Sequence, residues 1–197
     1  MLKTIGFMLS FALISNLAVA SDIKLPIPDK TSKTTLIQAL ENRHSDHAFS
    51  DKDIDDKTLS SILWAAYGVN RADGKRTIPT AKNAKDLSVY VFNKKGVFLY
   101  DADENVLKEV SNENYLNLFN KQDYMKTVPV VLVYTGSQND YAVMHAGSAY
   151  QNVELYTAAN NMASIVRGFF DREKVSEVLN LSEGDRVIIS QAIGWKE

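Results

Sequence analysis

Between Ala142 and Asn161 the chain carries hydrophobic and small residues on almost every side of a would-be helix. The stretch has no Pro, one Gly (Gly147) and one firmly charged residue, Glu154. Val143, Met144, Gly147, Tyr150, Gln151 and Leu155 recur at helical spacing, and Ala146, Ala149, Val153, Ala158 and Ala159 fill the other sides. A helix that is apolar or small all round is expected to be buried. Asn160–Asn161 ends it, and Ala163 to Phe170 reads as a short buried strand containing Arg167–Gly168. A Gly and a charged residue inside such a strand suit a scaffold that presents backbone to a ligand. A plain core helix is the simpler reading of the same stretch.

The other periodicities are weaker and complete the pattern. Thr34 to Asn42 predicts a first helix with Leu36, Ile37 and Leu40 on one face. A second helix runs from a cap at Asp53 or Asp55 to Tyr67, with Leu59, Ile62, Leu63 and Ala66 as its stripe and Gly68 as its stop. Leu87 to Phe92 alternates, Lys94-Lys95-Gly96 turns, and Val97 to Tyr100 returns as a hairpin partner. Asn105 to Val110 adds a short strand. Asn112 to Lys126 places Tyr115, Leu116, Phe119 and Tyr124 at helical spacing. Val128 to Thr135 is a nearly continuous apolar run, as expected of a strand covered on both faces. Asp171 caps a helix to Leu179, Ser182 to Asp185 turns, and Arg186 to Ile193 is a last strand. Strands and helices in this mixed order predict an α+β fold.

The N-terminal segment stands apart. Lys3 precedes an apolar stretch from Ile5 to Val19, and Ala18-Val19-Ala20 is a small-x-small site before Ser21. Residues 1–20 are therefore expected to be a cleavable signal peptide, cut after Ala20, with the mature protein periplasmic or secreted. A retained N-terminal anchor is the alternative. Loss of Lys3 changes the formal net charge from -2 to -3. An extended arm follows over 21–33, carrying Pro26 and Pro28, and a single domain over 34–197.

Composition narrows the chemistry. A net charge of -2 gives no reason to expect a nucleic-acid partner. The absence of Cys excludes disulfides, thiolate metal sites and a Cys nucleophile. His44, His47 and His145 fall in no zinc-like spacing, so no metal is expected. Neither a G-x-S-x-G elbow nor a phosphate-binding P-loop is present, so any chemistry falls to a bound cofactor. The polar loop Gly68 to Lys85 holds Arg71, Lys75, Arg76 and Lys82 before Lys85. It reads as a solvated basic loop or as one that closes over an anion. Pro79-Thr80-Ala81 opens a short helix whose free N–H groups suit an anion or a polar ring.

The ordered motifs resemble a known family. Arg43-His44-Ser45 with Ala48-Phe49 is similar to the N-terminal phosphate-binding motif of FMN-dependent nitroreductases. Leu63 to Phe92 resembles the second segment of that family, and Gly147 to Leu181 its central helix and flavin-facing strand. The set fits the SagB-type dehydrogenase branch best and runs from about Leu25 to Trp195. This resemblance implies a nitroreductase-like mixed, mainly antiparallel sheet flanked by helices, with a long buried central helix, in an obligate homodimer that binds FMN at the subunit interface. Arg43 and Ser45 would hold the phosphate and ribityl chain, with His44 and His47 beside them. Arg suits a phosphate because its planar fork bonds bidentately. Pro79, Thr80, Ala81 and Asn83 would reach the flavin from the second subunit. The Arg167–Gly168 backbone would face the ring, with an N–H directed at flavin N5. For the Arg167 side chain, a surface ion pair is the competing role.

Two function classes follow. One is an FMN-dependent oxidoreductase that passes hydride through flavin N5 between a small donor and an acceptor, with no side chain required as acid or base. The other is a non-catalytic exported binding module that keeps the fold but has lost or repurposed the flavin. Retention of Arg43, Ser45, Thr80 and Asn83 together favours the enzyme. The implied partners are a second copy and a small-molecule substrate, with no nucleic acid and no stable membrane insertion after signal cleavage.

Overall fold

The computed structural model describes residues 21–197, so the expected signal peptide lies outside the described residues. In chain order the strands are β1 (Ile23–Lys24), β2 (Leu87–Asn93), β3 (Gly96–Asp101), β4 (Val106–Ser111), β5 (Val130–Ser137), β6 (Met162–Arg167) and β7 (Asp185–Trp195). The helices are α1 (Leu36–Asn42), α2 (Asp56–Tyr67), α3 (Asp140–Ala159) and α4 (Arg172–Leu179). No described helix is long and apolar enough to cross a membrane.

One sheet takes the order β1-β4-β3-β2-β5-β7-β6. Every adjacent pair among the described residues is antiparallel, which corrects the mixed sheet expected from the resemblance. The reason lies in β7. β5, α3 and β6 make a crossover whose two strands run the same way, and β7 inserts between them antiparallel to both.

β5 sits near the middle and explains its own sequence. Val130, Leu132 and Tyr134 join the core beneath α2 and α3, whereas Val131 and Val133 join a second core on the opposite face. Both faces are covered, so the strand is apolar at every step. Each fully buried aliphatic side chain there contributes about 1.5–3 kcal/mol. Tyr134 pays its polar cost through a 2.6 Å bond from its hydroxyl to Gln191 Oε1.

Local signals set the helix ends. Asp55 caps α2 by accepting from the Thr58 amide at 2.7 Å. Gly68 closes it where a Cβ would lie 2.6 Å from Trp64 Cα, a contact no side chain tolerates. Thr35 and Gln38 form a capping box on α1. The Asp22–Lys33 arm is more than a surface strap. Its β1 residues pair with β4, and Leu25 is buried in the core.

Three expectations change. The 112–126 stretch is not one helix but two short 3-10 turns, Leu116–Phe119 and Asp123–Thr127. Phe119 and Met125 are its buried anchors, and a side chain rather than a helical ladder holds it, as described below. The apolar stripe of α1 faces outward: Leu36 and Ile37 are 64% and 63% exposed, and Ala39 makes the inward contact. Finally, α3 is buried on one side only. Ala142, His145, Ala146, Ala149 and Val153 face inward, while Val143 and Met144 are exposed. Within one chain, no element among the described residues covers Val143 and Met144.

Candidate functional site

The Arg43–Phe49 segment begins where α1 ends. Arg43 leaves the helix in an extended conformation, and its amide still donates to Ala39 O at 3.0 Å. Its guanidinium Nη1 lies 3.1 Å from the Glu154 carboxylate on α3. The arginine is one-third exposed and the glutamate is buried, so the remaining guanidinium edge is available to an anion. His44 sets Nδ1 2.8 Å from Asn42 O and Nε2 2.9 Å from the Asp46 carboxylate. Ser45 is exposed. Asp46 fixes the segment twice on β6: its amide donates to Ser164 O at 3.0 Å, and its carboxylate accepts from the Ser164 amide at 3.1 Å. His47 meets Tyr124 edge-on at 5.1 Å, and Phe49 is the buried anchor.

β6 carries the second part. Its pairing with β7 ends at Arg167↔Ser190, so Gly168 lies past the last rung with its backbone exposed. A Cβ built at Gly168 would meet Arg172 Nη2 at 3.7 Å and Ile189 Cδ1 at 3.9 Å, ordinary contacts without a clash. The Arg167 side chain points elsewhere. It is buried, donates to Phe119 O and Phe169 O at 3.1 Å and to Gln122 Oε1 at 2.6 Å, and lies over the Tyr124 ring. It makes no ion pair among the described residues, so the surface-pair role is replaced by a structural one: it holds the two 3-10 turns to the sheet. Next to Gly168, Arg172 donates to Val187 O and Ile188 O. Burial and the nearby Arg186 charge pull Arg172 below its ordinary value. With Val143, Val187 and Ile188 these two arginines line an opening of about 390 Å³.

The third part is the loop around Pro79, Thr80, Ala81 and Asn83. The short helix expected there is a single 3-10 turn, Ala81–Asn83, and Thr80 makes no side-chain cap. Lys82, Asn83 and Lys85 take left-handed backbone angles, φ 52, 55 and 49. The Ala81 amide donates to His145 Nε2 at 2.8 Å, and His145 Nδ1 lies 2.6 Å from the Asp86 carboxylate.

Of the expected residues, the fold therefore brings Arg43, His44, Ser45 and His47 to the β6 strand that ends at Gly168. No hydrogen bond joins Pro79, Thr80, Ala81 or Asn83 to that group within one chain among the described residues. The two groups attach to α3 nine positions apart, at Glu154 and His145, about 13.5 Å along the helix axis. Sequence reasoning missed Asp46, Asp86, Glu154 and His145 as supports. The available signal was polarity in the wrong place: Glu154 and His145 sit among the small residues of the inward face of α3.

Comparison with known proteins bears on the family and the fold. A Methanocaldococcus jannaschii chain classed with the nitroreductases is 25% identical over 183 residues, 82% of this chain and 91% of that one. A crystal structure from Ralstonia eutropha, classed likewise, is 31% identical with a TM-score of 0.82, covering 89% of this chain and 90% of the other. A chain of the E. coli microcin synthetase McbBCD complex shares the fold at 18% identity and a TM-score of 0.68, covering 85% and 76%. The Nitroreductase family profile matches residues 40–195, most of the chain, and with this match the protein belongs to the Nitroreductase family.

Proposed function

We propose that the protein is an FMN-dependent oxidoreductase of the SagB-type dehydrogenase branch, working as a homodimer on a small-molecule substrate after export. The observation that carries this reading is the pair of bonds between Asp46 and Ser164, which lays the Arg43–Ser45 segment along the strand that ends at Gly168. A phosphate held at one end and a planar ring at the other match this arrangement. The exposed backbone of Gly168 fits a flat ring, and the one-third-exposed Arg43 fits an anion.

FMN, when bound, supplies a two-electron centre that accepts hydride from a donor and yields it to an acceptor. The protein's part is placement. Arg43 and Ser45 hold the phosphate end. His44 ties the turn to Asp46, and His47 closes the segment against Tyr124. The Gly168 backbone lets the ring approach, and the Arg172–Arg186 opening adds positive potential beside it. A second copy completes the site with its own Pro79, Thr80, Ala81 and Asn83. The exposed stripes of α1 and α3 are the faces that copy would cover.

The test is direct. The mature protein from Ser21 onward is purified, titrated with FMN by fluorescence, and mixed with reduced donors under stopped flow. Saturable binding and donor-dependent bleaching are expected. Saturable FMN binding with no bleaching by any donor would favour the non-catalytic binding module. No binding at all would remove the flavin from the reading.

A further inference from the structure

His145 lies on the inward face of α3, only 4% exposed, among Ala142, Ala146 and Ala149. An imidazole in such a place needs a reason. Its two nitrogens both reach the same loop. Nε2 accepts from the Ala81 amide in the loop's middle, and Nδ1 faces the Asp86 carboxylate at the loop's end, just before β2.

These partners leave one arrangement of protons. A backbone amide can only donate, so Nε2 must present its lone pair. The ring proton is then on Nδ1, where the Asp86 carboxylate accepts it. Asp86 thus selects the tautomer, and the tautomer holds Ala81.

The loop gives a second, independent observation. Lys82, Asn83 and Lys85 all carry a Cβ, yet all take left-handed angles. Asn tolerates such angles, but they are disfavoured for Lys, and at Lys82 and Lys85 they persist where surrounding contacts over-determine the backbone. The internal loop bonds are two, Asn83 amide to Thr80 O and Ala84 amide to Ala81 O. Neither ties the loop to the body of the protein, whereas the imidazole does.

We infer that His145 and Asp86 are positioning residues that clamp the 79–85 loop onto α3 and so preset Thr80 and Asn83 for the cofactor. This rests on the reading of that loop as a cofactor contact. It also links the loop to the helix whose outer face, through Val143 and Met144, is left for a second copy. Both imidazole nitrogens are engaged, Nε2 by the Ala81 amide and Nδ1 by Asp86, so the His145 ring has none left for a ligand.

Amide hydrogen exchange and FMN titration on the mature protein test it, with His145→Phe, Asp86→Val and Asp86→Asn. Loss of the acceptor in His145→Phe, and of tautomer control in Asp86→Val, should speed exchange at the Ala81 amide about ten-fold or more. Both should weaken FMN binding about ten-fold. Asp86→Asn keeps an acceptor toward Nδ1 and should recover most of both effects relative to Asp86→Val. Apo-protein melting is recorded for each, so that a variant that fails to fold is replaced by the other. Unchanged Ala81 exchange in a folded His145→Phe or Asp86→Val overturns the clamp. Faster exchange with unchanged FMN affinity overturns the cofactor-positioning role. If the wild type binds no FMN, the functional reading fails, and exchange alone decides whether His145 sets the loop.

Discussion

Arg43 Nη1 sits 3.1 Å from the buried Glu154 carboxylate, which makes the expected phosphate-binding arginine also the counter-charge of the central helix. Two effects on Arg43 substitution therefore need separating. Arg43→Ala should remove the proposed charge-assisted phosphate contact, about 1.5–3 kcal/mol or roughly ten- to a hundred-fold in FMN affinity. It also leaves Glu154 buried without a partner and should lower the melting temperature of the apo protein. Glu154→Gln keeps an acceptor for Arg43 and removes a negative charge near the phosphate, so FMN should bind a few-fold more tightly. Fluorescence titration reads affinity and calorimetry reads stability. Equal FMN affinity in wild type and Arg43→Ala contradicts the assignment of Arg43.

The basic loop supplies a prediction on pH. Arg76 is buried and donates from both terminal nitrogens to Asp103, at 2.9 and 2.8 Å. The bonds from Arg76 hold the Asp103 carboxyl below its ordinary value of 3.8 despite burial acting to raise it. A depressed folded-state value means that the stabilisation is complete above 3.8 and is lost as pH falls through the folded-state value. Asp103 is more than half exposed, so solvent screening limits the effect to about 0.5–1 kcal/mol. Asp103→Asn should be less stable than wild type by that amount at pH 7. The gap should shrink under strongly acidic conditions. Urea melts at both pH values check it, and a gap independent of pH would count against the pair.

How far the sequence reached depends on what each segment is held by. β5 and α2 were legible because their own residues decide them: an unbroken apolar run, and Asp55 and Gly68 as end signals. The 112–126 stretch was not legible. Its shape comes from Arg167, more than 40 positions away, whose bonds to Phe119 and Gln122 replace a helical ladder. The β7 insertion between β5 and β6 is equally non-local, and no periodicity reports it. For the candidate site, the Arg43–Ser45 and Arg167–Gly168 segments were visible as motifs. Asp46, Asp86, His145 and Glu154 were not, because their roles exist only through partners distant in the chain.

The outward stripes predict assembly. Leu36 and Ile37 of α1, and Val143 and Met144 of α3, are large apolar side chains left in water by the single chain. Exposed apolar patches of this kind mark association surfaces. The protein should be a dimer at micromolar concentration, and Met144→Glu should shift it toward monomer while α2 and the sheet core stay folded. Light scattering on both proteins checks this. A monomeric wild type in the presence of FMN defeats the interface and, with it, the supply of Thr80 and Asn83 from a second copy.

Arg167 and Gly168 are neighbours with opposite duties, and a crossed pair of variants separates them. The Arg167 side chain is buried and binds Phe119 O, Phe169 O and Gln122 Oε1. Arg167→Met leaves those acceptors without their donor and should destabilise the apo protein by about 2–3 kcal/mol. At the scale of a chain this long, that lowers the melting temperature by about 4–12 °C. Gly168 takes no left-handed angle, and a Cβ there meets nothing closer than 3.7 Å. Gly168→Val should therefore change apo stability by only about 0.5 kcal/mol. Its branched side chain would cover the exposed backbone that a flavin ring is proposed to approach, so FMN affinity should fall about ten-fold or more. Stability lost at Arg167 and affinity lost at Gly168 is the expected result. The reverse pattern, with Gly168→Val binding FMN normally, would place the ring elsewhere on the protein.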